Sequence, residues 1–470
     1  GERSDSTQWA VLRTTAVQVN EYRAREHKVI PSKLSPRPEI EVKDGDILIT
    51  RAGPMNRVGI SCWVSNTPPR LMLSDKIVRF HSIADEMLPA FIVLALNAGW
   101  TKSQIEEAKT GMAASQVNIS QTDLRGLWLP ICSKAEQSRI VTRVEELMRL
   151  CDALEAKGQL EATAHAQLVR TLLATLSESE TPAQLTDNWH RIATHFDLLL
   201  DRPQAVDALE QTILQLAVRG LLVPQDPQDE PASVLLMKIR AEKDKLILDG
   251  KIKRDKPLPP IAEDEQPFAL PRGWEWVRID EIAEVQGGIQ KTQLRRPVKE
   301  HYPYLRVANV QRDALRLGEI ERFELTQEEL NKWRLAAGDL LIVEGNGSAD
   351  EIGRCAVWDG SINPCVYQNH LIRVRCLQQD SMAFIKLFLN APSGMEEMKR
   401  LAITTSGLYN LSVGKIRNYV VPLPPLAEQS RIVTRVAQLR RLCFELRQRL
   451  TASQSTQAHL AEALVESVAS

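Results

Sequence analysis

From Lys134 onward, apolar residues recur at helical spacing. Ile140, Val144, Leu147, Cys151 and Leu154 form an alternating four-and-three pattern, the seam of a coiled coil. The same steps return at Ile432, Val436, Leu439, Cys443, Leu446 and Leu450. Gly158 interrupts the first stripe, a weak point in a helix interior, and Leu160, Ala164, Leu168 and Leu172 resume it. Each run predicts a helix of ~43 residues, about 64 Å long. A seam needs a partner, and the simplest partner for each copy is the other. Cys151 and Cys443 fall on the apolar stripes and are expected in the core.

The two helices open on identical sequence: Ala135–Val144 and Ala427–Val436 both read AEQSRIVTRV. A repeat of this kind organises the whole chain. It extends upstream, where Val11-Leu12-Arg13 answers Tyr304-Leu305-Arg306 and Gly45-Asp46-Ile47-Leu48-Ile49 answers Gly338-Asp339-Leu340-Leu341-Ile342. Phe91-Ile92 and Leu96-Asn97-Ala98 likewise answer Phe384-Ile385 and Leu389-Asn390-Ala391. Between these anchors the copies differ almost freely. The repeat unit is therefore one variable domain followed by one shared helix, occurring twice. The second copy's opening, Leu270–Val277, has no counterpart before Gly1. The first domain is thus expected to lack an opening of ~25 residues relative to the second.

Residues 1–133 alternate short β-like runs, Asp46–Thr50 and Lys76–Phe80, with turn signals at Pro54 and Asn66–Pro69. A helical run, Leu88–Leu96, precedes a polar loop, Gly111–Ser120. This is a mixed α/β pattern. The first long helix is placed at 134–177, and a central helical region with linker at 178–262. That region holds a helix after Pro203, a charged helix over Ala232–Leu248, and the basic, proline-rich Asp249–Pro260. The second variable domain occupies 263–425, with strand-like Tyr304–Val307, Asp339–Val343 and His370–Arg375. It continues through a helical Met382–Leu389 and a polar loop, Ile403–Ser412, and 426–470 is the second long helix.

Composition changes this picture little. The 470 residues are 43% apolar and 25% charged, as in an ordinary globular protein of more than one domain. The net charge of −1 argues against a uniformly basic nucleic-acid binder and leaves room for local patches. No run of apolar residues is long enough to span a bilayer. The seven cysteines show no metal-ligand spacing and read as reduced thiols of a cytosolic protein.

Several fragments resemble catalytic motifs and fail on detail. Gly407 and Gly414-Lys415-Ile416 have the wrong spacing for a phosphate-binding loop and lack the hydroxyl after lysine, so they read as a loop leading into a strand. Asn66-Thr67-Pro68-Pro69 lacks the aromatic of an amino-methyltransferase motif and reads as a turn. Glu41-Val42-Lys43 has no suitably placed metal-binding aspartate and reads as a strand edge. His190 and His195 lie on a weakly amphipathic run and are read as surface or core residues. No catalytic constellation and no cofactor fingerprint emerges.

The positive signal is recognition. The loops holding Ser115, Gln116 and Asn118 and holding Thr404, Thr405, Ser406, Tyr409 and Asn410 occupy the same place in each copy. Hydroxyl and amide side chains bond phosphates and base edges without adding net charge. Arg13 with Thr15, Arg51, Arg306 with Asn309, and Asn346 and Ser348 add donors at strand ends.

Leu423–Val433, reading LPPLAEQSRIV, closes a variable domain and opens a long helix. A degraded form runs from Leu129-Pro130 through Lys134 to Val141, with Ile131-Cys132-Ser133-Lys134 in place of a second Pro-Pro-Leu. Together with Ile213–Pro224, Ile239–Pro260 and the Leu270–Trp276 entry, this pattern resembles the specificity (S) subunit of type I restriction–modification systems over essentially the whole chain. The resemblance implies an α+β fold. Two mixed α/β target recognition domains are separated by two long antiparallel paired helices, with an internal pseudo-two-fold duplication. Each domain would read half of a split target in double-stranded DNA, and the helices would hold the domains a fixed distance apart. Two methyltransferase (M) subunits would dock near Glu136, Gln137, Arg139, Glu428, Gln429 and Arg431. Restriction (R) subunits would join through the complex. Adenosylmethionine, ATP and Mg would belong to those partners, with none in this chain, no catalytic role and no membrane contact. The competing reading is a coiled-coil scaffold bearing two protein-binding modules.

Overall fold

The computed structural model describes residues 8–31, 33–82, 86–179, 181–252, 258–290, 292, 299, 301–345, 351–402 and 410–469. The chain divides into two compact units, Gly1–Leu160 and Glu161–Ser470.

In the first unit, β1 (Ala10–Leu12), β2 (Val17–Gln18), β3 (Glu21–Tyr22) and β4 (His27–Val29) precede β5 (Ile47–Thr50) and β6 (Ala52–Gly53). Strands β7 (Ser61–Trp63), β8 (Leu71–Met72) and β9 (Ile77–Phe80) follow, then helices α1 (Pro89–Asn97) and α2 (Gly99–Glu107). A hairpin of β10 (Thr110–Ala113) and β11 (Gln116–Asn118), the short α3 (Gln121–Arg125) and the part of the long α4 (Lys134–Ser177) up to Leu160 complete it. Strand β1 pairs antiparallel with β4 and parallel with β8. Strand β5 lies between β7 and β9. The expected polar loop is thus a hairpin, and β11 also pairs with β6. Ile47 and Ile49 point to one core with Ile92 and Leu96, whereas Leu48 points to another with Leu12 and Leu71. That alternation is what a strand buried on both faces requires.

The second unit begins in helices: α5 (Pro182–Thr194), α6 (Phe196–Leu199), α7 (Pro203–Val218) and α8 (Ala232–Leu248). Next come β12 (Glu275–Arg278), α9 (Ile279–Ile282), β13 (Ala283–Gly287), β14 (His301–Leu305), β15 (Val310–Gln311), β16 (Ala314–Leu315), β17 (Glu321–Glu324) and α10 (Gln327–Trp333). Then β18 (Leu340–Val343), β19 (Cys355–Val357), β20 (Val366–Tyr367) and β21 (Leu371–Cys376) lead to α11 (Met382–Asn390) and α12 (Pro392–Ala402). The unit closes with α13 (Val413–Asn418), β22 (Val420–Leu423) and α14 (Leu426–Ala469).

The duplication is reproduced in the pairing of the central strands. Strand β14 pairs antiparallel with β17 and parallel with β20, as β1 does with its neighbours. Strand β18 lies between β19 and β21, as β5 lies between β7 and β9. The repeated Gly-Asp pair has a local cause. Gly45 and Gly338 both turn at φ +91°, a conformation glycine adopts at least cost. The buried Asp46 and Asp339 carboxylates then accept from Lys43 N (2.9 Å) and Ala336 N (2.8 Å). Strand β13 extends the second sheet beyond β21.

Helix α14 buries Ile432, Val436 and Cys443, with Leu439 and Leu446 packed beside them, in one core with Leu209, Ile213 and Leu216 of α7. Arg440 is paired with Glu210 at 3.0 Å and Arg447 with Asp207 at 2.7 Å. The seam of the second copy is therefore covered by the central helix α7, a partner the heptad pattern alone does not name. In α4 the outcome differs. Leu147, Leu150 and Leu154 are exposed, and so is Cys151, which corrects its expected core placement. Farther along, Val169, Leu173 and Leu176 are buried in the core of the second unit. Helix α4 runs unbroken through Gly158, around which there is open space.

Candidate nucleic-acid interface and helix junctions

The recognition candidates fall on equivalent edges of the two domains. In the first unit, Ser115, Gln116 and Asn118 are exposed along the β10–β11 hairpin, and Asn118 is paired with Ala52 of β6. Gly111 sits opposite Gln116, where an added Cβ would lie 2.4 Å from the Gln116 carbonyl, so the hairpin closes only with glycine there. In the second unit, Asn410 is exposed and forms the corresponding bridge to Gly345. Ser120 and Ser412, each two residues on, cap the next short helix. Their hydroxyls accept from Asp123 N (3.0 Å) and Lys415 N (3.2 Å). The Gly414-Lys415 fragment thus belongs to a capped helix, α13, rather than to a loop running into a strand.

The strand-end donors are more varied. Arg13 and Thr15 are exposed, and Thr15 donates to Glu26 Oε2 at 2.8 Å. Arg306 is half-buried and paired with Glu321 at 2.7 Å. Asn309 does not face outward. It is buried, with Nδ2 bonded to Arg316 O (2.8 Å) and Glu319 O (2.9 Å) and Oδ1 accepting from Arg306 N (2.8 Å). Its amide holds the turn that carries Arg306, which corrects its reading as a base-contacting side chain. Arg51 follows β5 and keeps a buried Nε with no hydrogen-bond partner among the described residues. Asn346, Ser348, Thr404, Thr405, Ser406 and Tyr409 lie outside the described residues.

The residues opening the two long helices divide into two kinds. Gln137 and Gln429 are buried, and each donates back to the carbonyl five residues earlier: Cys132 O at 2.8 Å and Pro424 O at 2.8 Å. Gln137 also donates to Glu86 O (2.9 Å) and accepts from Leu88 N (2.8 Å). Glu428 is buried, accepts from Trp274 Nε1 at 2.9 Å, and has its carboxyl pushed up by loss of solvent. Arg139 is exposed and Glu136 half-buried, and the two pair with each other across one helical turn. Arg431 pairs with Asp229. Of the six, Gln137, Glu428 and Gln429 are joined to their own domain, which corrects their reading as docking residues, Arg431 is held by Asp229, and Arg139 with its half-buried partner Glu136 stays at the surface.

The catalytic look-alikes resolve locally. Asn66 and Arg70 adopt positive φ in a turn, and Thr67 N donates to Asp44 Oδ1 at 2.8 Å. Glu41 lies at a strand edge, bridged to Met72. His190 and His195 are exposed. Among the described residues no three His, Cys, Asp or Glu side chains are grouped as metal ligands, and no helix is long and apolar enough to cross a membrane.

Residues 271–453 match the family described as the type I restriction modification DNA specificity domain. The chain is 36% identical over 392 residues to the type I restriction enzyme EcoEI specificity subunit of Escherichia coli, covering 82% of this chain and 65% of that protein. It is 34% identical over 364 residues to the EcoAI specificity subunit of the same species, covering 77% and 61%. The match thus spans slightly less than two thirds of either relative. A solved chain from work on the structural basis of complex assembly and conformational transition of the type I R-M system shares the fold. Its TM-score is 0.51 at 16% identity, over 99% of this chain and 93% of that one. The chain carries a type I specificity domain, and it belongs to the type I restriction–modification specificity-subunit (HsdS) family.

Proposed function

We propose that this chain is the DNA-reading subunit of a type I restriction–modification enzyme, with one recognition domain for each half of a split target in double-stranded DNA. The observation that carries the reading is the repeated framework. Two domains with the same strand pairing present Asn118 and Asn410 on the same edge, and each hands over to a helix opening on the same ten residues. Reading two half-sites needs one scaffold with two different surfaces. Holding identical partners needs two identical surfaces. The repeat supplies both in sequence, so two M subunits dock on the shared helices: Arg139 stands exposed on the first, and its counterpart Arg431, paired with Asp229, is half-buried on the second. R subunits join through that complex. Adenosylmethionine, ATP and Mg are held by those partners, and this chain acts without catalysing a step.

The test is reconstitution. The chain alone turns over no adenosylmethionine and no ATP. With M subunits added to saturation, native mass reports two M per chain, and the complex methylates DNA. Its DNA affinity falls steeply with salt, because bound phosphates release counterions. A saturated complex with no DNA affinity at low salt would favour the scaffold reading instead.

A further inference from the structure

One position is framed identically in the two domains and carries opposite charge. Arg51 follows β5 and Glu344 follows β18, the equivalent strands. Arg51 N donates to Lys76 O at 2.8 Å, and Arg51 O accepts from Ile119 N at 2.9 Å. Glu344 N donates to His370 O at 2.9 Å, and Glu344 O accepts from Leu411 N at 2.7 Å. Lys76 and His370 each precede the flanking strand, whereas Ile119 and Leu411 each follow the exposed asparagine of the recognition edge. Four backbone bonds thus fix the two residues at one place, next to Asn118 and Asn410.

Neither side chain is satisfied by the described residues around it. The Arg51 Nε is buried without a hydrogen-bond partner. The Glu344 carboxylate has 23% of its side chain exposed, and its recorded ion pair, to His370 Nδ1, is 4.0 Å long, beyond hydrogen-bond reach. Loss of solvent pushes its carboxyl above the ordinary value, with His370 opposing the rise. A half-buried charge left so is costly, and a ligand group of complementary polarity relieves that cost.

We propose that this position sets the polarity of base reading in each half-site: Arg51 donates to the acceptor edge of a guanine, and Glu344 accepts from the amino group of a cytosine. Arginine matches guanine O6 and N7 in the major groove, and a carboxylate matches cytosine N4. The proposal rests on the reading of the chain as a DNA specificity subunit. It adds which position discriminates, and in which sense. Variation at a fixed frame lets one scaffold change its target without refolding.

The experiment uses the chain assembled with its M subunits and a DNA library randomised over both half-sites. Glu344→Arg is expected to exchange cytosine for guanine at one base of the second half-site, leaving the first unchanged. Arg51→Glu is expected to do the converse in the first. The loss on the original base is roughly tenfold to a hundredfold in each case. Glu344→Gln keeps the size of the side chain and serves where the charge reversal fails to assemble. It is expected to move that base toward adenine, which an amide recognises. Folded variants with wild-type base preferences in both halves would overturn the proposal, as would a uniform loss on every sequence. A wild-type complex without sequence preference would instead overturn the reading beneath it.

Discussion

The indole Nε1 of Trp274 donates to Glu428 Oε2 at 2.9 Å, joining residues 154 apart in sequence. Trp274 stands just before the first strand of the second domain, and Glu428 lies in the first turn of α14. Both are buried. The pair ties the start of the recognition domain to the helix that ends it.

That bond carries a pH signature. Desolvation raises the Glu428 carboxyl above its ordinary 4.5, while the Trp274 bond and Arg431 oppose the rise and Asp229 adds to it. A raised folded value means that the native state holds the proton more tightly. Its contribution is complete below pH 4.5 and is lost as pH rises through the raised value. Glu428→Gln keeps an acceptor for the indole and removes the titration. The stability of the variant relative to wild type is therefore expected to increase across that window, read as thermal midpoints at a series of pH values. Parallel midpoints would show that the carboxyl is not desolvated. Glu428→Ala orphans the indole N–H and is expected to cost about 1–3 kcal/mol below pH 4.5, the deficit shrinking as pH rises through the raised value.

The paired glutamines make unequal contributions. Gln137 is bonded through both ends of its amide, to Cys132 O, Glu86 O and Leu88 N. Gln429 uses Nε2 on Pro424 O, and its Oε1 is buried without a partner among the described residues. Gln137→Ala is expected to destabilise by ~1–3 kcal/mol and Gln429→Ala by a smaller amount, about 1 kcal/mol. Urea unfolding of the two variants compares them directly, and a larger loss at Gln429 would contradict this ranking.

The repeat was legible because identical sequence and helical periodicity are local signals. Asp46–Thr50 and Asp339–Val343 became β5 and β18, and the stripe from Ile432 to Leu446 became a buried face. What covers that face was not legible, since α7 has an apolar stripe of its own and nothing in a stripe names its partner. Cys151 illustrates the limit. It shares its register with Cys443, but the residue becomes core only where another element packs against it. Glu344 escaped notice because its meaning lies in the frame shared with Arg51, and the two sequences agree on neither charge nor size.

The charge contacts between α14 and α7 belong to the second copy alone. Arg440 reaches Glu210 and Asp313, and Arg447 reaches Asp207 and Glu210. The first copy has Met148 and Glu155 at these places. Arg440→Met is expected to destabilise the second unit by ~1–2 kcal/mol, with Lys386 still paired to Asp313 at 2.7 Å. Partly exposed pairs of this kind are screened by salt. The deficit of the variant is therefore expected to narrow in high salt, and a deficit independent of salt would assign it to packing.

The last prediction follows from what Gln137 touches. Its three shortest bonds, to Cys132 O, Glu86 O and Leu88 N, are to main-chain groups, with the Met87 sulfur farther off at 3.5 Å. A constant helix that grips its variable domain through the backbone is indifferent to that domain's side chains. Residues 1–133 replaced by the corresponding domain of a family member are therefore expected to fold onto α4 without compensating changes. The assembled chimera is expected to recognise a target altered in one half only. Base preference over a doubly randomised library measures this. A chimera that folds but changes both half-sites would show that the two domains do not read independently.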